Sequence, residues 1–302
     1  MSAVQLGQYP PASHLIAHIS DTHFLGGSRA LYGAVDTDTT VYQAMAQLER
    51  SGLRPDALVF TGDIADRGEA DAYRRVRDIV EAAAERMGAP VIWVMGNHDK
   101  REAFRTELLR EAGSMAPVDR VHDIGGVRII ALDTSVPGYH HGDLSEAQLA
   151  WLTDVLREPA PHGSLLTLHH PPVPTMLPLM AILELRGQAR LAEVVAGSDI
   201  RAILGGHLHY ATTGLFAGIP VSVAAATCYT IDPTAPRGEL SGLQGGQSIN
   251  LVHVYFDQIV HSHVALGEFE AATGFDASFL ARMEALTPEQ RTEAFSRQVE
   301  SG

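Results

Sequence analysis

Five apolar stretches of this chain each end abruptly in a group of Gly, Asp, Asn or His. Residues 14–20 run into Asp21-Thr22-His23, and residues 57–60 lead to Gly62-Asp63. Residues 91–95 stop at Gly96-Asn97-His98-Asp99, 165–168 deliver His169-His170, and 203–204 deliver Gly206-His207-Leu208-His209. Short apolar runs bounded by turn residues read as buried strands. Helical spacing separates the first three: Val41, Met45 and Leu48, then residues 69–87 with Tyr73, Val76, Val80 and Ala83 on one face. Alternating strand and helix argues for a parallel-rich sheet. In open α/β sheets, sites form beyond the carboxyl ends of strands. The five polar groups can therefore converge in one place.

The second half changes style. Residues 118–135 read as a hairpin turning at Gly125-Gly126. Ser145 and Gln148 form a capping box for a helix carrying Leu149, Leu152 and Leu156, with Leu144 placed to staple onto Leu149. Residues 185–197 read as helix, and 214–230 and 248–266 as mostly β. Two packed sheets flanked by helices account for both halves. Near the end, Phe279, Leu280, Met283 and Leu286 recur at helical spacing, so this stretch is expected to pack on the body. Beyond Thr287-Pro288 the chain is polar, and a short, weakly held second helix or disorder is expected there.

The clustered side chains are metal-ligand types. Asp21 and His23, like His207 and His209, sit two apart, which on an extended segment turns both to the same side. Glycine before Asp63, Asn97 and His207 permits a tight turn and close backbone approach. Imidazole with carboxylate and amide oxygen suits Zn, Fe, Mn or Ni rather than Ca, and the lack of thiolates argues against a structural zinc knot. Taken singly these signals are weak: Gly-Asp is usually a turn, and a lone Asp-x-His is usually nothing. Their joint order after buried strands is what points to a site.

Charge narrows the substrate. Twenty-two Lys and Arg against 36 Asp and Glu leave −14. Such a chain should repel a nucleic-acid polymer, so an anionic substrate must be held by something other than basic side chains. Bound metal cations would supply that positive site. Cys228 is the sole cysteine and reads as a small buried hydrophobe; no internal disulfide is possible. The first twenty residues do not read as a signal peptide, and no stretch reads as a transmembrane segment. A cytoplasmic protein is expected.

The order DxH, GD, GNHD, H, GHxH resembles the calcineurin-like metallophosphoesterases across residues 21–209. The runs His18-Ile-Ser-Asp-Thr-His23, Thr61-Gly-Asp-Ile-Ala-Asp66 and Gly142-Asp-Leu-Ser-Glu-Ala-Gln-Leu-Ala-Trp-Leu152 are similar to the class III cyclic-nucleotide phosphodiesterases of bacteria, the mycobacterial member included. The resemblance implies a four-layer α/β/β/α sandwich over residues 1–268, with a C-terminal helical extension over 269–302. It implies two metals, one held by Asp21, His23, Asp63 and His209, the other by Asp63, Asn97, His169 and His207, with Asp63 shared. Iron with manganese is the expected pair, or two of manganese, zinc or cobalt.

The implied reaction is hydrolysis of 3′,5′-cyclic nucleotides (cAMP, with cGMP and 2′,3′-cyclic nucleotides in scope) by hydroxide held between the metals. His98 is expected to protonate the leaving alkoxide, and Asp66 and Asp99 to orient Asn97 and His98. Substrate contacts fall on Asn97, His98, His209 and His140. His141 shares the loop of His140, Arg67 either touches phosphate or caps its turn, and His170, which precedes Pro171-Pro172, is left unassigned. A homodimer and a peripheral surface contact through the C-terminal tail, such as with the membrane, are further expectations. Rival readings are a broad phosphodiesterase or nucleotidase, a nucleotide pyrophosphatase, and a scaffold that has lost its metals. The last expects missing ligands, and none is missing.

Overall fold

A computed structural model describes residues 4–298. The strands are β1 (His14–Ile19), β2 (Ala57–Thr61), β3 (Val91–Val94), β4 (Arg120–Ile124), β5 (Val127–Leu132) and β6 (Ser164–Leu168). They continue as β7 (Ile200–Gly205), β8 (Thr212–Phe216), β9 (Ile219–Val223), the short pair β10 (Thr230–Ile231) and β11 (Gly242–Leu243), then β12 (Ser248–Val254) and β13 (Ile259–Ala265). One five-stranded sheet has the order β13-β12-β1-β2-β3, and one six-stranded sheet the order β4-β5-β6-β7-β9-β8.

Period-2 alternation sorts the side chains into layers. In β1 and β2, Ala17, Ile19, Leu58 and Phe60 pack under the helices Thr37–Ser51 and Ala70–Met87. Their neighbours Ile16, Ala57 and Val59 face the other way and meet Ile129, Leu165 and Leu204 of the second sheet. That sheet's outer face, including Ile130, Leu166 and Ile203, packs against Leu149 and Leu152 of helix Glu146–Val155 and Leu191 of helix Gln188–Val195. The result is α/β/β/α. Both sheets are parallel at their centres and gain antiparallel strands at the edges, β12 and β13 on one, β4 and β8 on the other. The parallel centre is why β1, β2 and β3 end on one side.

Several local readings change. The capping box of Ser145 and Gln148 is formed in both directions. The helix expected over 185–197 is shorter, Gln188–Val195, because Leu185 bridges to Gly142 and Gly187 takes a left-handed turn at φ 65°. Residues 224–229 are not strand; their backbone amides at Thr227 and Cys228 bond instead to the carbonyls of Ser20 and Asp21.

The chain divides into two units, Ser13–Leu266 and a smaller one from Met1–Ala12 and Gly267–Gly302. In the smaller unit, helix Ala277–Glu284 carries part of the expected apolar spacing, with Phe279 and Met283 half-buried. Phe275, Phe279 and Phe295 pack ring against ring, with centroids 4.5–5.3 Å apart. The short second helix is Pro288–Arg291, capped by Thr287 and Gln290. The tail's last residues, 299–302, lie outside the described residues. Among the described residues no helix is long and apolar enough to cross a membrane.

Candidate metal centre

The seven candidate ligands follow strand ends, and five of them hold left-handed backbone. Asp21, His23, Asp63, His207 and His209 have φ between 47° and 68°. This corrects the extended-segment picture: the pairs Asp21/His23 and His207/His209 converge through alternate left-handed turns, not a straight strand. Non-glycine residues adopt this region at a cost, and such strain gathers at functional sites. The preceding glycines answer to crowding. A Cβ on Gly96 would stand 2.1 Å from the Asp63 amide nitrogen, and one on Gly206 would stand 1.9 Å from Ser20 Oγ.

The side chains meet around Asp63. Its Oδ2 lies 3.4 Å from His23 Nε2 and 3.3 Å from His169 Nε2. On one side, donor atoms of Asp21, His23, Asp63 and His209 all fall within 4.8 Å of one another. That spacing suits one cation, since bonds of about 2.0–2.2 Å bring ligand atoms roughly this close. On the other side, Asn97 Oδ1 is 3.0 Å from His169 Nε2, and His207 gathers with His169 and His170.

Each candidate imidazole has one nitrogen fixed from behind. His23 Nδ1 bonds Asp66 Oδ1 at 3.0 Å, His169 Nδ1 the Thr61 carbonyl at 2.7 Å, and His209 Nδ1 the Tyr229 carbonyl at 3.0 Å. His207 uses Nε2 for the Leu183 carbonyl at 3.0 Å, leaving Nδ1 for the cluster. A partner behind each ring sets tautomer and direction, as metal-binding histidines require. The buried His23 Nε2 has no hydrogen-bond partner, an orphan that a cation would satisfy. The donor set therefore fits a pair of transition-metal ions.

Electrostatics agree. Burial works against both charges, but His209 holds Asp21 down at about 2, and Asp63 holds His169 up at about 9. Without metal, protons occupy positions that cations would take. The sign follows: His169 is raised above its ordinary 6.5, so its proton is bound at neutral pH and must leave on ligation. Apparent affinity for the ion that His169 would hold should fall about tenfold per pH unit as pH drops below about 9. The same proton contributes stability to the chelated protein that is lost as pH rises through about 9. Adding manganese to chelated protein in weak buffer near neutral pH should release protons to an indicator dye. Uptake with no proton release would contradict this assignment.

His98 faces a pocket of about 620 Å³, shared with Arg67, Lys100, Met115, Tyr139 and His140. Its Nδ1 donates to the Asp66 carbonyl at 2.8 Å, since a carbonyl only accepts. Nε2 therefore carries a proton only in the imidazolium form. Burial lowers that form's pKa, against the pull of Asp63. Asp66 thus orients His23 and His98. Asp99 does not touch the Asn97 or His98 side chains, which corrects its expected role. It accepts the backbone amides of Ile64, Ala65 and Gly96 and the Tyr73 hydroxyl, fastening the two ligand-bearing turns together. Burial and the Asp63 charge push it up to about 7. His140 bonds Asn97, and its ring lies 4.9 Å from that of His98. His141 stands apart against Tyr139. Arg67 lines the pocket, 3.7 Å from Asp66. Thr61, Leu183 and Tyr229, which aim three rings through carbonyls, and Tyr73, which holds Asp99, carry no site role in the sequence reading. A larger groove of about 900 Å³, in the smaller unit, holds none of these residues.

Layer order and strand-end cluster together define a metallophosphoesterase. A model of the calcineurin-like phosphoesterase family matches residues 14–211. The chain is 54% identical over 282 residues to a cAMP/cGMP dual specificity phosphodiesterase of Mycobacterium tuberculosis, covering 93% of this chain and 89% of that one. It is 52% identical over 265 residues, 88% of each chain, to a Rhodococcus erythropolis protein named "Probable cyclic nucleotide phosphodiesterase". A dimetal phosphatase from Danio rerio shares the fold, with a TM-score of 0.57 at 16% identity over 85% of this chain and 100% of its own. The chain belongs to the calcineurin-like phosphoesterase family, which uses a dinuclear metal centre.

Proposed function

We propose that this chain is a metal-dependent phosphodiesterase that hydrolyses 3′,5′-cyclic nucleotides to nucleoside monophosphates. The observation that carries the reading is Asp63 Oδ2 set between His23 and His169, beside the pocket that His98 lines. The close similarity to a cAMP/cGMP phosphodiesterase supports the substrate class. Asp21, His23, Asp63 and His209 would hold one ion, and Asp63, Asn97, His169 and His207 the other, with iron and manganese the proposed pair. Such ions, when bound, supply Lewis acidity and an activated water for in-line attack at phosphorus.

The protein's own groups do the rest. Asp63 ties the two halves of the site together and fixes the amide of His98 through Oδ1 at 2.8 Å. Asp66 sets the rings of His23 and His98. His98, as imidazolium, gives its Nε2 proton to the departing ribose oxygen. Asn97 and His140 border the seat of the phosphate. We take residues 1–268 as the catalytic part and 269–302 as an extension, with a homodimer or surface contact through the tail as its role.

A panel of 3′,5′- and 2′,3′-cyclic nucleotides, nucleoside monophosphates and dinucleotides tests the reading. Release of monophosphate from 3′,5′-cAMP and cGMP, with slow or no turnover of monophosphates, is expected. Preference for monophosphates or dinucleotides would replace it with a nucleotidase or pyrophosphatase.

A further inference from the structure

We infer that His170 is a positioning residue: it pins the loop 136–141 by the His140 carbonyl, so that His140 holds the Asn97 amide with its oxygen toward the metal cluster. The inference rests on the reading of Asn97 as a ligand.

His170 is fully buried and both its ring nitrogens are engaged. Nε2 lies 3.1 Å from the His140 carbonyl. A carbonyl only accepts, so Nε2 carries the proton. Nδ1 is 2.8 Å from Thr134 Oγ1, which already accepts the His170 amide at 3.3 Å. The threonine proton therefore points to Nδ1. No lone pair remains for a metal, although the ring stands among the donor atoms of His169 and His207.

The loop has a fixed base and an exposed crown. Ser135 bridges to Gly142, and Gly142 bridges to Leu185. A Cβ on Gly142 would stand 2.6 Å from the His170 ring, so glycine is what lets the ring reach under the loop. Between the anchors, Pro137, Gly138, Tyr139 and His140 are exposed. An exposed loop side chain holds one direction only if ordering entropy is offset from elsewhere. The His170 tether reaches from the interior to the residue whose Nδ1 accepts from Asn97 Nδ2 at 2.8 Å. That bond selects one face of the amide. A flipped amide would turn its NH₂ group at the cations.

Two substitutions separate the tether from packing. Asparagine places its amide near the Nδ1 position and can keep Thr134, but falls short of His140. Glutamine places an amide nitrogen near the Nε2 position and can keep His140. In metal-free protein, His170→Asn should raise chymotryptic cleavage after Tyr139 by about tenfold. In loaded protein it should lower kcat about tenfold with KM less affected. His170→Gln should stay within roughly threefold of wild type in both. Added to His140→Ala, His170→Asn should cost nothing further, because both break one path. Equal losses in the two variants would mean plain packing, and unchanged cleavage in His170→Asn would mean no tether; either overturns the inference. Wild-type turnover in Asn97→Ala would instead sink the reading of Asn97, while the cleavage comparison still judges the tether.

Discussion

Asp63→Ala should abolish turnover, a loss of at least about 10³-fold, together with loss of at least one bound ion. Asp63 Oδ2 sits between His23 Nε2 and His169 Nε2, so one carboxylate serves both halves of the cluster. Its Oδ1 accepts the His98 amide, so the same substitution also loosens His98, the proposed acid. Removing it leaves buried imidazoles facing each other without the charge that holds His169 protonated or ligated. The fold should persist, because Asp63 lies beyond the end of β2 and Asp99 still clamps the neighbouring turn. Elemental analysis beside turnover checks this. Full activity with a full complement of metal would contradict the shared-carboxylate assignment.

His98→Ala should keep both ions and yet cost about 10²–10⁴ in rate on cyclic nucleotides. His98 lines the pocket and leaves Nε2 free of protein partners among the described residues. A ribose alkoxide is a poor leaving group and needs that proton. p-Nitrophenolate does not, so esters of p-nitrophenol should be cleaved almost as fast by the variant. Equal loss on both substrates would make His98 a positioning group. With the imidazolium as the proposed active form, kcat/KM on cyclic nucleotides should also decline as pH rises, and the p-nitrophenyl esters should not follow.

The strand-end clusters were legible because they are written twice, once as residue type and once as position after an apolar run. Gly62, Gly96 and Gly206 added a third signal, the need for close backbone approach. The left-handed turns at Asp21, His23, His207 and His209 were not legible. Asp and His enter positive φ more readily than most residues but still rarely, and the neighbouring backbone imposes it here through bonds such as Asp21 N–H to Gly62 O and His23 N–H to Asp63 O. Nor could sequence locate the supports. Thr61, Leu183 and Tyr229 orient rings through carbonyl oxygens, which every residue possesses. Asp99 looked like a partner for Asn97 because it is two residues away. Folding instead turns it back onto the amides of the 63–65 turn.

Metal content measured against turnover of 3′,5′-cAMP on the same purified chain tests the central claim most directly. About two transition-metal ions per chain are predicted, with turnover vanishing on chelation and returning in step with readdition. A chain free of metal that still hydrolyses the cyclic nucleotide would contradict it.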